Sequence, residues 1–210
     1  MTEKFSQKTV AQFLDELASS APVPGGGSGA ALVGALGAAL ASMVGNLTLG
    51  KPKYADVQAD IQALLAQTEA LRARLTNLIE EDVAVYHRLS SAYKMPKDTD
   101  EQKAARTAAI QVILRDATAV PMNIAEACVG VLKLCKPMAD KGNVGAVSDA
   151  GVAALLAEAA LRSAALNVLI NLAAIKDAEF VARERAALDG LLAGKAEMKE
   201  DIYALVVSKL

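Results

Sequence analysis

Apolar and polar positions follow a helical spacing along most of the chain. The clearest stretch is a strict 4-3 repeat from Val57 to Ala92, in which nine of the eleven positions are apolar. This repeat predicts one very long helix, ending near Tyr93, that buries a stripe of side chains against neighbouring helices. The two polar residues in the stripe, Thr68 and Asp82, interrupt the pattern and are therefore candidates for a special role.

Two other stretches are apolar and almost free of charge. The 34 positions of residues 17–50 contain no charged residue, and a helix predicted over about 149–175 carries only Glu158 and Arg162 in its interior. Small residues at three- and four-residue spacing predict close helix contacts on several sides, with a second copy of the chain as one candidate for such a contact. The part after Ser28 is long enough to span a bilayer. Because it is rich in alanine and glycine and no second span follows, we expect no membrane association.

The remaining pattern predicts shorter amphipathic helices. They are expected over residues 7–19, 177–190 and 195–208. Thr99 and Gln102 form a candidate capping box for a helix that Pro121 kinks or restarts, and Ser148 is a candidate N-cap for the second apolar helix. Helix after helix with short connections predicts an all-α, up-and-down helical bundle with long central helices, as one domain over residues 1–210.

Composition supports this fold class and narrows the possible partners. The chain has 44 alanines and only seven aromatic residues, which favours helices with a core of small side chains over a β-sandwich. Its formal charge is −2, with a pI near 5.5 and no basic block, which argues against nucleic acid as a partner. The N-terminal sequence has no apolar signal segment, so we expect a cytoplasmic protein.

The cysteines and the histidine do not predict a metal site. Cys128 and Cys135 fall seven residues apart within a predicted helix and are interpreted as core residues. His87, next to Arg88 and off the apolar stripe, is interpreted as a surface residue. With one histidine and no paired metal-binding motif, no metal centre is expected.

Two polar segments flank the first apolar helix and are candidate binding regions. The PGGGS loop could present backbone amides to a carboxylate or phosphate, or could simply be a shaped turn. This loop consists of Pro24, Gly25, Gly26, Gly27 and Ser28. The segment after the helix could bind a ligand or be a solvated helix end whose lysines offset the helix dipole. Its polar residues are Asn46, Thr48, Lys51, Lys53 and Tyr54.

Two carboxylates are the candidate catalytic groups. Asp82 lies in the apolar stripe, where a charge costs free energy unless it is paired, and such groups are often tuned for proton transfer. A structural contact with a lysine or arginine is the alternative. Asp149, beside Asn143 and Ser148, has the same ambiguity because acids are common in the first turn of a helix.

Three long segments together resemble a known family. They are FLDELASSAPVPGGGSGAALVGALGAALASMVGNLTLGKPKY, AYKMPKDTDEQKAARTAAIQ and KGNVGAVSDAGVAALLAEAALRSAALNVLINLAAI. In this order they are similar to the folate cyclodeaminase and cyclohydrolase family, and the ASSAPVPGGG and MPKDTDEQKAAR sequences look closest to its cyclohydrolase branch. The resemblance implies an all-helical homodimer with a folate substrate and a site formed by PGGGS, Asn46, Lys51, Tyr54, Asp82 and the GNVGAVSDAG loop.

The implied reaction is the hydrolysis of 5,10-methenyltetrahydrofolate to 10-formyltetrahydrofolate without a metal or cofactor. Its methenyl carbon belongs to a cationic amidinium and is already electrophilic, so a Lewis acid is not needed. Asp82 or Asp149 is expected to stabilise the cation, and one of them, or a desolvated Lys51, to take the proton of water. The PGGGS amides and Lys53 are expected to hold a carboxylate of the glutamate tail. The alternatives are formimidoyltetrahydrofolate cyclodeaminase activity and a non-catalytic folate-binding dimer.

Overall fold

A computed structural model describes residues 4–210 and shows α-helices and short 3-10 turns in them, with no β-strand. The expected all-α fold class is therefore confirmed for the described residues. The α-helices are α1 (Val10–Leu17), α2 (Gly26–Asn46), α3 (Gln58–Tyr93), α4 (Asp100–Lys141), α5 (Val147–Leu172), α6 (Ala178–Leu192) and α7 (Lys195–Val207).

The four long helices α2 to α5 form the core as an up-and-down bundle. Ser42 Oγ of α2 donates to Thr68 Oγ1 of α3 at 2.8 Å, which explains the first polar interruption of the α3 stripe. Asn171 Nδ2 of α5 donates to the carbonyl of Ala117 in α4 at 2.6 Å. α2 also packs along α5, and α7 covers parts of α4 and α5.

Small residues let these helices approach each other closely, as the sequence predicts. A Cβ atom added at Gly34 would lie 2.8 Å from Cys128 Sγ, and one at Gly37 would lie 3.0 Å from the carbonyl oxygen of Ala153. Cys128 and Cys135 are buried in this core, and burial raises the pKa of each thiol to about 12. The interpretation of both cysteines as core residues is confirmed.

Of the two expectations for Pro121, a kink or a restart of the helix, the restart is wrong. α4 runs without interruption for 42 residues, with Pro121 and Pro137 inside it. Proline removes one helical hydrogen bond, and the carbonyl that this would leave unpaired at Ala117 accepts a bond from Asn171 instead. Tertiary packing thus compensates for the local defect. The capping box of Thr99 and Gln102 at the start of α4 is confirmed.

The start of α5 also differs from the expectation. Ala146, not Ser148, is the N-cap residue, and a 3-10 turn over Val144–Ala146 leads into the helix. Ser148 is therefore the second helical residue, and its prediction as the N-cap is wrong. Asp149 does lie in the first turn of α5, as expected.

The expectation that only one stretch is long and apolar enough to span a membrane is also wrong. By length and composition, three helical segments qualify: Gly26–Asn46, Asp100–Lys141 and Val144–Leu172. Half or more of the most apolar window of each is buried inside the bundle. Their apolar character is therefore used in large part for contacts between helices.

Candidate active site

A groove of about 480 Å³ opens where the N-terminal end of α2 meets α3, α4 and α5. Asp82 and the glycines of the PGGGS loop lie at one end of it, and Tyr93 and Ala174 lie at the other. The groove is lined by Pro22, Val23, Gly25, Gly26, Gly27, Asp82, Val85, Tyr86, Leu89, Tyr93, Leu114, Ala117, Pro121, Asn167, Ile170, Asn171 and Ala174. It therefore joins two of the regions that the sequence selects separately, the PGGGS loop and Asp82.

Asp82 is held by the first turn of α2. Its Oδ2 accepts hydrogen bonds from the backbone N–H of Ser28 at 2.8 Å and from Ser28 Oγ at 2.7 Å. The partner of Asp82 is thus a helix N-terminus and a hydroxyl, and no lysine or arginine among residues 4–210 forms an ion pair with it. The second carboxylate oxygen, Oδ1, faces Gly27.

The surroundings of Asp82 change its acidity. Burial raises the pKa of the Asp82 carboxyl above its ordinary value of 3.8, and the two hydrogen bonds from Ser28 oppose that rise. A carboxylate with a raised pKa, fixed through one oxygen and unbonded at the other, has the properties of a general base.

Gly27 is required for this arrangement. A Cβ atom at position 27 would overlap the carboxylate of Asp82. Gly26 and Gly27 belong to the first turn of α2 with Gly25 as N-cap, while Pro24 is buried and lies outside the groove wall. Because Asp82 already binds the helix N-terminus through Ser28, the anion at this end of α2 comes from the protein itself.

A second cluster forms at the opposite end of α2. Tyr54 Oη donates to Asn143 Oδ1 at 3.2 Å and accepts from the N–H of Val144 at 3.0 Å. The buried hydroxyl of Thr48 accepts from the N–H of Asn143 at 2.8 Å. These contacts tie the segment after α2 to the turn before α5, so Thr48, Tyr54 and Asn143 have at least a structural role.

The side chains of the other candidate residues surround this second cluster without hydrogen bonds to it, and Lys51 is bonded to Tyr54 and Thr48 through its backbone alone. Lys51, Lys53, Asn46 and Ser148 are exposed, Lys53 Nζ lies 5.7 Å from the centre of the Tyr54 ring, and Asp149 is partly buried. α2 has 21 residues, so the two clusters are separated by roughly 30 Å within one chain. One chain therefore does not bring Lys51 or Asp149 to Asp82, and it does not bring Lys53 to the PGGGS amides.

Several groove residues were missed from the sequence. Tyr86 and Tyr93 follow Asp82 along the same side of α3, and Asn167 and Asn171 are one turn apart in the alanine-rich α5. The two asparagines were detectable as polar interruptions of an alanine-rich helix, by the reasoning that singled out Asp82. His87 is exposed, as expected.

Within residues 4–210, no three or more His, Cys, Asp or Glu side chains come together in a way that could hold a metal ion.

Comparisons with known proteins agree over nearly the whole chain. The methenyltetrahydrofolate cyclohydrolase of Methylorubrum extorquens is 50% identical over 97% of this chain and 98% of its own length. The formimidoyltransferase-cyclodeaminase of Sus scrofa is 39% identical over 88% of this chain, which corresponds to 34% of that longer protein.

A solved structure gives the same result for the fold. The crystal structure of formiminotetrahydrofolate cyclodeaminase from Thermotoga maritima superimposes with a TM-score of 0.80 at 28% identity, covering 99% of this chain and 98% of the other. The family model described as Formiminotransferase-cyclodeaminase matches residues 9–190. The chain therefore belongs to the formiminotransferase-cyclodeaminase family, as its sequence segments indicate.

Proposed function

We propose that this protein is a methenyltetrahydrofolate cyclohydrolase, which hydrolyses 5,10-methenyltetrahydrofolate to 10-formyltetrahydrofolate in one-carbon metabolism. The observation that carries the proposal is Asp82, a carboxylate of raised pKa at the end of a groove large enough for a fused ring system. The 50% identity to a cyclohydrolase over almost its full length supports this activity over others in the family.

The groove supplies charge and orientation to a substrate that is already activated. The N5–C–N10 amidinium of the substrate is a cation, and the negative charge of Asp82 stabilises it nearby. Asp82 Oδ1 accepts a proton from water as the water oxygen attacks the methenyl carbon. Ser28 holds Oδ2 throughout, so the base does not rotate away from the water.

The resulting tetrahedral centre breaks its bond to N5, which takes up a proton, and the formyl group stays on N10. Asp82 can pass to N5 the proton that it received from water, so the same carboxyl acts first as base and then as acid. Water is added, one C–N bond is broken, and one proton is released overall. Neither a metal ion nor an organic cofactor is part of this scheme.

The activity is tested with purified protein and 5,10-methenyltetrahydrofolate, following the loss of methenyl absorbance before and after treatment with a chelator. We expect rapid loss in both conditions. Turnover that disappears with the chelator and returns with metal would contradict the metal-free scheme, and turnover at the uncatalysed background would favour a folate-binding protein without activity.

Cyclodeaminase activity is the second candidate, because relatives with that name share this fold and sequence. In that reaction N10 attacks a formimino carbon, and ammonia leaves from a related tetrahedral centre. With 5-formiminotetrahydrofolate as substrate, we expect little ammonia release. Fast release together with slow methenyl hydrolysis would reverse the assignment.

We also propose that the protein is a cytoplasmic homodimer whose active site is shared between two copies. The exposed side of α2 carries Leu36 and Met43, and Leu47 caps its C-terminal end; these residues are 49%, 38% and 41% exposed. Their seven- and four-residue spacing places them on one face, and α2 has no charged residue. An uncharged apolar face of this kind on an otherwise charged surface is typical of an interface.

Twofold symmetry would unite the two clusters at the ends of α2. If α2 packs antiparallel against its copy near Leu36, the C-terminal end of one α2 lies beside the N-terminal end of the other. Lys51 and Lys53 of one copy then approach Asp82 and the groove of the other, which supplies opposite charges and removes water from the lysines. The candidate residues that one chain keeps about 30 Å apart would thus form one site.

Subunit mixing tests the shared site. Asp82→Asn and Lys51→Ala are prepared separately, and we expect both to be nearly inactive. If each site takes Asp82 from one copy and Lys51 from the other, mixed dimers contain one intact site, and an equal mixture regains about a quarter of the unmutated activity. No recovery after proven subunit exchange would show that the two residues act in the same chain or in separate roles.

A further inference from the structure

The groove contains two side-chain carboxamides whose orientation is fixed by helix carbonyls. Asn167 Nδ2 donates to the carbonyl of Ser163 at 2.9 Å, and Asn171 Nδ2 donates to the carbonyl of Ala117 at 2.6 Å. Each amide group therefore points its NH₂ at a helix backbone. The opposite oxygen, Oδ1, is left as a hydrogen-bond acceptor on the groove wall.

The bond made by Asn171 depends on Pro121. In an unbroken helix the N–H of residue 121 donates to the carbonyl of residue 117, but proline has no N–H. The Ala117 carbonyl is consequently available, and Asn171 occupies it across the helix interface. Pro121 itself lines the same groove. A proline in the middle of a 42-residue helix thus has an effect at the site.

The charge of the groove indicates which part of a folate it accepts. Asp82 is the charged side chain in the lining, and neither lysine nor arginine contributes to it. Inside the groove the anionic glutamate tail of a folate would therefore meet no cation of this chain, whereas at its Asp82 end the lysines Lys51 and Lys53 of the proposed second copy could receive it. The pterin ring is uncharged apart from the amidinium, is flat and largely apolar on its faces, and has N–H donors at N3, at N8 and on the 2-amino group.

We propose, on the basis of the function proposed above, that the pterin ring lies in this groove and donates to the Oδ1 atoms of Asn167 and Asn171. Residues one helical turn apart on one face present side chains about 5–6 Å apart, which suits donors spread along one edge of a bicyclic ring. Pro121 is then a positioning residue that acts through Asn171. The glutamate tail leaves the groove at the Asp82 end.

The test compares substrate variants with protein variants. The protein variants are the double variant Asn167→Leu/Asn171→Leu, the single variant Pro121→Ala, and Gln67→Leu as control, since Gln67 makes the same kind of amide-to-carbonyl bond on an exposed face of α3. The substrates are 5,10-methenyltetrahydrofolate and its analogue without the 2-amino group. Pro121→Ala restores a helical N–H that competes for the Ala117 carbonyl, and alanine favours the helix, so this variant is expected to fold.

We expect the double variant to raise KM roughly tenfold or more with little change in kcat, and to lose the preference for the 2-amino substrate. Pro121→Ala should reduce that preference, and Gln67→Leu should keep it. The proposal would be overturned if the double variant kept its preference for the 2-amino substrate and its turnover responded to removal of the glutamate tail from the substrate. That result would place the tail in the groove. If only Pro121→Ala keeps the preference, the positioning role of Pro121 is wrong.

Failure of the proposed function gives a different result, because the unmutated protein would then turn over neither substrate. Binding of 5-formyltetrahydrofolate, with and without its 2-amino group, provides the same comparison without turnover. A loss of the 2-amino preference in the double variant would support the pterin site, and an unchanged preference would overturn it.

Discussion

At the scale of single residues, Asp82 is the catalytic base that we propose. It interrupts an apolar stripe, binds the start of α2 through one oxygen and keeps the other oxygen free at the groove. Its replacement by asparagine keeps the shape but removes the base. We expect kcat to fall roughly 10²- to 10⁴-fold while the protein stays folded.

Turnover and circular dichroism of Asp82→Asn provide the measurement. Asp189→Asn is the matched control, since Asp189 is an exposed carboxylate on α6 that pairs with Arg185. Near-normal turnover of Asp82→Asn would remove Asp82 from the mechanism.

The raised pKa of Asp82 predicts how activity depends on pH. A protonated carboxyl cannot accept the proton of water, so kcat/KM should fall on the acid side through the pKa of Asp82 in the free enzyme. The midpoint should lie above the ordinary value of 3.8 because burial raises this pKa. A pH–rate profile measures it, and an acid limb that persists unchanged in the residual activity of Asp82→Asn would assign it to another group.

The raised pKa of Asp82 also affects the stability of the folded protein. Because the folded-state pKa is raised, the folded protein binds the proton more tightly than the unfolded chain does. The contribution of Asp82 to the free energy of unfolding is therefore most favourable below its unfolded-state pKa and decreases as pH rises through the folded-state pKa. Urea unfolding at several pH values should show Asp82→Asn gaining stability relative to the unmutated protein across this window. If the difference in the free energy of unfolding between the two proteins stayed constant across these pH values, the raised pKa of Asp82 would be contradicted.

How far single residues could be predicted depends on how local their roles are. Asp82 was found because a charge stands out in a 4-3 apolar repeat. Its partner Ser28 was selected only as part of the PGGGS loop, because the pairing joins positions 54 residues apart. Asn171 is detectable as a polar interruption of α5, but its partner is not, because that bond uses a carbonyl that Pro121 leaves unpaired in another helix.

At the scale of elements, the first turn of α2 is constrained by the carboxylate beneath it. Gly27→Ala adds a methyl group that would overlap Asp82, so we expect a loss of roughly 1–3 kcal/mol of stability and a large loss of activity. Urea unfolding and turnover measure both effects.

Gly190→Ala is the control for that substitution. Gly190 lies inside α6 with open space around its Cα, and alanine there should add about 0.5–1 kcal/mol through helix propensity. Equal effects of the two substitutions would mean that the contact between Gly27 and Asp82 is unimportant.

Helix positions were predicted well because the apolar repeats are long, and helix ends were predicted less well. The start of α3 is shaped by a 3-10 turn over Pro52–Val57, and that of α5 by the bonds of Asn143, Thr48 and Tyr54. Such tertiary bonds have no periodicity in the sequence. The continuity of α4 through Pro121 has the same cause, since a neighbouring helix supplies the missing donor.

At the scale of the whole molecule, the uncharged face of α2 predicts a dimer that can be disrupted by one charge. Leu36→Glu would place two like charges close together near the proposed twofold axis, so we expect monomers with retained helix content and greatly reduced turnover. Light scattering, circular dichroism and turnover measure these properties. Asp116→Asn, on the outer surface of α4, is a control for a surface charge change. An active monomeric variant would refute the shared site.

The core of the bundle predicts a second effect at this scale. Ala157 is fully buried in α5, where its backbone lies close to Gly37 of α2. Ala157→Leu should cost about 1–3 kcal/mol because the added methylene groups have no space. Ala186→Leu, at an exposed position of α6, should change stability by less than about 0.5 kcal/mol. Similar urea midpoints for the two variants would show that the helices can move apart freely.

Cores built from leucine and phenylalanine are damaged mainly by substitutions that remove volume, and they tolerate many that preserve it. The alanines that form much of the contact between α2, α4 and α5 leave almost nothing to remove. Damage in this protein must therefore come chiefly from substitutions that add atoms. Over evolutionary time these positions should drift only among glycine, alanine, serine and cysteine, so the tolerated substitutions record how closely the helices must approach.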